Sequence, residues 1–596
     1  MRLLNPTRLI VALLASLLLF SSAQAADSVD AAETQRLHAL FDARWDVLMK
    51  TYPEWATFTG DNRYGDRLHD ASREAIAAEF AATRRTLADA QAIRREGLSA
   101  KDQVSLDIFI YQLNEALRFE PFVGFRSMSL GALDGFQSDF SNLLQASPVS
   151  KRGEVEQILA RMAAFPKRVD QELVLLREGA ALGWVPPRSV LERVLTQIDA
   201  QLTSDIDKSS LFEPFTRLGK DIPAAEQDAL RAQARRVIAE QIYPALRRLR
   251  DFVAGEYLAA APASGALGGN PGGAEVYAAQ VQSNTTTDLS PAQIHGIGER
   301  EMARLRAEME AVMKELKFEG SFAAFIQVLN TDPKFFHTSP DALLAGYRDI
   351  AKRIDPELPK LFAVLPRAPY GVRAMPAHSS TDRAEFYNGP AQDGSRPGWF
   401  NANAQAYAKR PIWAMESLVA HEAVPGHHLQ GARAIELGEL PRFRRGGGFT
   451  VYAEGWALYA ETLGFDLGLY KDPYSRFGHL QWQALRAARL VVDTGIHALG
   501  WSRQQAIDYM IERTGIGAGF VTSEVDRYIS DPAQALAYMI GELKIIELRD
   551  RAKAKLGERF DVRQFHGVVL DQGSVPLPVL ERAVDTWIAE TAAQKH

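Results

Sequence analysis

Apolar side chains recur at three-to-four spacing along most of the chain. The pattern predicts helices over 31–50, 71–95, 100–117, 151–179, 188–204 and 224–254, and then over 275–282, 291–317, 322–329 and 339–353. One stretch, 259–273 (AAAPASGALGGNPGG), breaks it with small residues, glycine and proline, and predicts a flexible loop or linker. It separates a helical N-terminal half, 26–258, from a half, 274–596, that carries the candidate chemistry, while 26–596 also reads as one continuous domain. Past Pro366 the texture changes again. Prolines, glycines and scattered Phe and Tyr over 366–405 are poor for helix and predict short strands, with Trp399-Phe400-Asn401 expected as a strand edge that aligns an extended substrate. The expected fold is mostly α, a large helical body with a small β element beside the site. No fixed-period repeat and no sustained heptad interrupts that reading.

The first residues have a different pattern. Arg2 and Arg8 precede an apolar run from Leu9 to Phe20, and Ala23-Gln24-Ala25 forms a small-residue cleavage site. This predicts a signal peptide over 1–25, cut after Ala25, and an exported protein, periplasmic or secreted, with no stable membrane insertion after cleavage. The formal net charge of −6 gives no electrostatic footprint for nucleic acid. The sequence contains no cysteine, so neither disulfides nor a thiolate nucleophile are available, and a metal would have to be held by His and carboxylate.

Twelve histidines are present, and three of them, His421, His427 and His428, fall within eight positions of the stretch PIWAMESLVAHEAVPGHHLQ, 411–430. Glu422 follows the first imidazole. A carboxylate beside clustered imidazoles is the chemistry of a metal site with its own general base. The HExxH spacing that puts two imidazoles one turn apart fails here, because the fifth position is Pro425. On a regular helix His427 points away from His421, and His428 regains the direction but sits about two turns further along. Proline excludes the regular hydrogen bond and glycine permits a turn, so the expectation is a break at Pro425-Gly426 that brings His427 beside His421. His421 and His427 are then the candidate ligands and Glu422 the candidate base. A straight helix would instead favour His428.

HEAVPGHHLQ (421–430), EGWALYAE (454–461), RLVVDTGIHALGW (489–501) and DPAQALAYMIGE (531–542) resemble the bacterial domain-of-unknown-function 885 family. So do ATFTGDNRYGDRL (56–68) and FHGVVLDQGSVPL (565–577), so the resemblance spans nearly the whole chain after residue 25. That family resembles the mostly helical gluzincin peptidases, such as carboxypeptidase Taq, oligopeptidases and angiotensin-converting enzyme, and departs from them in the two extra residues between the histidines. The resemblance implies one Zn2+ ion and a third ligand from a second helix, Glu454, with Glu461 as the competitor or as an acceptor that orients a ligand imidazole. It also implies a tyrosine hydroxyl near the scissile carbonyl, for which Tyr538 is the candidate and Tyr528 the runner-up.

Within the predicted helix 479–499, His479, Gln483, Arg486, Asp493 and His497 share one face. From this stripe His497 is the candidate for stabilising an oxyanion and Arg486 for clamping a peptide carboxylate, while Arg489 is spaced to pair with Asp493. His566 reads as structural. The expected function is an exported metal-dependent hydrolase of short peptides. A peptide-binding protein whose metal is structural, and a metallohydrolase of other amides or esters, are the other readings.

Overall fold

A computed structural model describes residues 29–594 except 133–134, 263, 377–382, 393, 439 and 446–447, and the expected signal peptide lies outside the described residues. Helices form where the apolar periodicity puts them, and short polar side chains start many of them. Asp30 caps Ala31–Thr51, Ser72 caps Arg73–Gln91, and Ser99 caps Ala100–Arg118 by accepting from first-turn N–H groups. The mostly α fold is as expected.

The cores do not divide where the sequence breaks. The helices from residue 31 to 118 share one continuous apolar core with almost everything after 267, whereas residues 130–257 build a second core of their own. The stretch 259–273 is not a free linker. Leu267 is buried, and its N–H donates to His497 Nδ1 at 3.2 Å. The loop 52–68 is likewise fastened, because the buried guanidinium of Arg161 donates to the carbonyls of Pro53, Tyr64 and Arg67.

Beside the site lies one three-stranded sheet of β1 (Tyr370–Ala374), β2 (Phe386–Asn388) and β3 (Gly398–Ala402), in the order β1-β3-β2. β3 runs parallel to β1, with Tyr370 opposite Gly398, and antiparallel to β2, with Phe386 opposite Asn401. The expected strand at Trp399-Phe400-Asn401 therefore exists but is central, paired on both sides. The edge beside the site is β2.

Six further helices build the site: α1 (Met415–Glu422), α2 (His427–Ile435), α3 (Thr450–Thr462), α4 (Pro473–Leu499), α5 (Ala518–Ser530) and α6 (Ala537–Leu556). α4 is the spine. It is buried from Phe477 to His497 except at Trp482, which explains why its polar residues all need partners. The backbones of α3 and α6 meet at Gly455 and Gly541, which sets Glu454 and Tyr538 on neighbouring walls. No helix of the described residues is long and apolar enough to cross a membrane.

Candidate metal centre

α1 ends at the motif. Ala423 leaves the helical region (φ −104°, ψ −107°), Gly426 does so again (φ −76°, ψ −127°), and the chain restarts as α2 at His427. The Val424–Pro425 peptide is cis. Gly426 has a steric reason to be glycine, because a Cβ there would lie 1.9 Å from the carbonyl oxygen of His421. The Pro425 carbonyl, freed by the break, accepts from Trp456 Nε1 at 2.9 Å. Trp456 lies two residues after Glu454, so α3 both seals the break and delivers the carboxylate. The helix is thus interrupted between Glu422 and His427, as the spacing requires.

The interruption brings His421, His427 and Glu454 together. Their ligand atoms lie within 4.8 Å of one another, and the two imidazole rings stand 4.9 Å apart at 86°. Glu454 Oε2 is 3.5 Å from His421 Nε2 and 3.4 Å from His427 Nε2, too long for good hydrogen bonds, and it is buried with no hydrogen-bond partner among the described residues. Two donors at tetrahedral angles around a zinc ion, each at about 2.0–2.1 Å, stand roughly 3.3–3.4 Å apart. The residues therefore fit a cation. Burial opposes charge on Glu454, yet His427 and His421 outweigh it and hold the carboxyl well below the usual range.

Glu461 lies on the other side of His421. Its Oε1 accepts from His421 Nδ1 at 2.8 Å and its Oε2 from Ser417 Oγ, while Arg486 Nη2 stands 3.4 Å from Oε1. With Nδ1 committed as the donor, His421 presents its Nε2 lone pair toward Glu454. Burial opposes the Glu461 charge, but Arg486 and His421 keep its pKa below the usual value. Of the two candidate glutamates, then, Glu454 stands beside both histidines, and Glu461 orients one of them.

Glu422 opens onto the same cavity of about 280 Å³, where burial pushes its carboxyl up to about 8. Arg486 and Tyr538 line this cavity too, as does β2 through Phe386 and Tyr387. Sequence reasoning missed Arg489, Glu524 and the β2 residues on its walls. A neighbouring cavity of about 430 Å³ shares Glu385, Trp482 and Phe520 with it, so the space continues past the cluster.

His428 turns away from the cluster. The Ala368 carbonyl can only accept, so Nε2 carries the proton, donated there at 3.1 Å, and Nδ1 accepts from Tyr387 OH at 2.8 Å. The Tyr370 ring lies 4.6 Å away, and a Cβ on Gly398 would come 2.7 Å from Nδ1. One imidazole thus touches all three strands and docks the sheet on α2.

The expectation for His497 is corrected. Both ring nitrogens are taken by main chain, Nδ1 by the Leu267 N–H and Nε2 by the Tyr528 carbonyl at 2.9 Å, and the residue does not line the cavity. It has no free atom for an oxyanion. The Arg489–Asp493 pair is corrected as well. Arg489 donates to Glu524 Oε2 at 2.8 Å, whereas Asp493 accepts from Tyr277 OH at 2.5 Å and from Ala533 N. Tyr528 donates to Glu524 at 2.7 Å, and His566 is held by Tyr459 OH and the Leu361 carbonyl, a structural position.

Fold and site together define a large helical protein organised around a broken HExxPGHH helix. The chain belongs to the family described as bacterial protein of unknown function (DUF885), which matches residues 53–584. It is similar to the crystal structure of a candidate lipoprotein from Colwellia psychrerythraea, with 27% identity and a TM-score of 0.83 over 94% of this chain and 100% of that one. A candidate lipoprotein of unknown function from Shewanella oneidensis superposes with a TM-score of 0.75 at 18% identity, covering 91% and 98% of the two chains. Superposition on PZ peptidase A with an inhibitor is far looser, with a TM-score of 0.35 and 12% identity over 88% of this chain and 95% of that one. Comparison with curated protein sequences returned no match.

Proposed function

We propose that the chain is an exported, metal-dependent peptidase acting on short peptides. In this reading His421, His427 and Glu454 hold one divalent cation, zinc by preference, and Glu422 is the general base. The observation that carries it is the buried, unpartnered Glu454 Oε2 between two imidazole nitrogens, with a second carboxylate, Glu422, on the same cavity. A bound divalent cation would supply a Lewis acid and an activated water.

The chain's own residues supply the rest. Glu422, on the same cavity as the cluster, offers a carboxylate acceptor for the water proton and can pass that proton to the leaving amine. Glu461 fixes the His421 ring through Nδ1. Tyr538 lines the cavity and offers its hydroxyl as a donor to the carbonyl oxygen of a bound peptide, and the outer edge of β2 can align the peptide main chain. A half-open cavity of this size accepts a short peptide more readily than a folded protein. Export rests on the signal-like residues 1–25 and on the lipoprotein description of the two solved relatives. None of these 596 residues offers a thiol for lipid attachment.

The test is a peptide-library digest with mass-spectrometric readout on the purified chain, with and without a chelator, alongside metal analysis and the Glu422→Gln variant. Cleavage that stops on chelation and in the variant supports the reading. Binding of peptides without cleavage by the metal-loaded protein would contradict it and indicate a capture protein.

A further inference from the structure

Arg489 is a buried cation with unfinished hydrogen bonding on the wall of the candidate active site. It is 6% exposed and lines the cavity that holds His421, Glu422, His427 and Glu454. Its Nε donates to Tyr528 OH at 3.1 Å, its Nη2 donates to Glu524 Oε2 at 2.8 Å, and its guanidinium lies 4.4 Å from the Tyr538 ring centre. Nη1 is buried and has no partner among the described residues. A buried guanidinium with a free N–H is costly unless an acceptor arrives to complete it.

Its one carboxylate partner is already shared. Glu524 also accepts from Arg527 Nε and Nη2, at 3.2 and 3.0 Å, and from Tyr528 OH at 2.7 Å. Around the cavity Arg486, Arg489 and Arg527 balance Glu454, Glu461 and Glu524, while Glu385 and Arg410 form a pair at 2.8 Å. Arg486, the sequence-based candidate for a carboxylate clamp, is turned toward Glu461 and the Trp482 carbonyl instead.

We infer that Arg489 anchors the C-terminal carboxylate of the peptide substrate, so that the enzyme trims peptides from their C-terminal end. This rests on the peptidase reading above and specifies its substrate. A guanidinium is the side chain best matched to a planar carboxylate.

The experiment compares pairs of short peptides, identical except for a free C-terminal acid or an amide, on the zinc-loaded full chain. kcat/KM is read on the parent protein, and equilibrium binding of the same pairs is read by calorimetry on the zinc-loaded Glu422→Gln variant. The acid is expected to be favoured by about 10–100-fold in both, the size of one charge-assisted hydrogen bond. Arg489→Gln should bring that ratio close to one. Tyr528→Phe, which removes a partner of Arg489 but keeps the guanidinium, should preserve it. If Arg489→Gln does not fold, Arg489→Lys, which loses the planar fork, should still lower the ratio.

Equal handling of acid and amide by the parent protein would overturn the inference, as would a ratio unchanged in the Arg489 variants. An amidated peptide with Asp or Glu near its end that matches the free acid would also overturn it, by assigning the subsite to a side-chain carboxylate. If no peptide is cut, the peptidase reading falls, and the binding pairs still decide whether Arg489 selects a terminal carboxylate.

Discussion

Two stretches of α4 look alike in sequence and differ in what their polar atoms do. Around Arg486 and Arg489 the hydrogen bonding is incomplete: Arg486 Nε and Arg489 Nη1 are buried without partners among the described residues, and so is Glu454 Oε2 across the cavity. Two turns on, Asp493 and His497 are fully engaged. Asp493 accepts from Tyr277 OH and Ala533 N, and His497 accepts from Leu267 N and donates to the Tyr528 carbonyl. The second stretch stitches the Leu267 loop, the upstream helix that carries Tyr277, α5 and the turn after α5 to the spine. The first leaves several polar atoms on one cavity without partners among the described residues. Buried polar groups are ordinarily satisfied, so a cluster of unsatisfied ones on a single cavity separates a site from a scaffold.

The sharpest way to break this comparison is Glu422→Gln. The amide cannot take a proton, so kcat should fall by about 10²–10⁴-fold while metal content and the unfolding midpoint stay near those of the parent. Near-parental turnover in the metal-loaded variant would remove Glu422 from the chemistry.

The break between Glu422 and His427 was legible in the sequence because proline and glycine act locally. A ligand pair six residues apart can face one ion only if the helix stops. The long helices were legible for the same reason, since periodicity is a local signal. Glu454 was reached by family resemblance, and its advantage over Glu461 appears only when α3 is placed against α1. Helical spacing alone pairs Arg489 with Asp493, whereas its carboxylate partner, Glu524, lies 35 residues away on α5. His497 looked catalytic because its Leu267 partner is 230 residues distant. His428 gave no hint of docking a sheet, because its contacts come from three strands far upstream.

The scaffold end of α4 should show its nature in pH dependence. Burial pushes His497 down to about 4, so the folded state resists the proton that the unfolded chain accepts near 6.5. Its contribution is present above about pH 6.5 and is lost as pH falls toward 4. Asp493 has the opposite sign. Burial pushes its carboxyl up to about 7, so its contribution is present below the unfolded value of 3.8 and is lost as pH rises through 7. Relative to the parent, Asp493→Asn should therefore gain stability from pH 4 to 7, and His497→Gln should gain as pH falls from 6.5 to 4. Each change should be on the order of 3–4 kcal/mol, the larger for Asp493→Asn. Urea midpoints measured across that range check both signs, and parallel pH profiles for the parent and both variants would contradict the assignment.

Glu461→Gln addresses the site end again. It leaves the ligand atoms in place but removes the carboxylate that holds His421 Nδ1, so metal affinity or activity should drop by about 10–100-fold. Competition with a chromogenic chelator measures it, and unchanged affinity with unchanged activity would reduce Glu461 to packing.

Tyr387→Phe should have the smallest effect. Losing one hydrogen bond to His428 loosens β2 without touching the cluster, so KM should rise by about fivefold, roughly 1 kcal/mol, with metal content unchanged. A loss of metal would show that the sheet and the cluster are not separable.

The central claim, that His421, His427 and Glu454 together hold one cation, is tested most directly by anomalous diffraction above the zinc edge on crystals of the zinc-loaded chain. The account predicts a single strong peak bonded to His421 Nε2, His427 Nε2 and a Glu454 carboxylate oxygen, each at about 2.0–2.2 Å. No peak at this cluster, or a peak held by His428 or Glu461 instead, would contradict it.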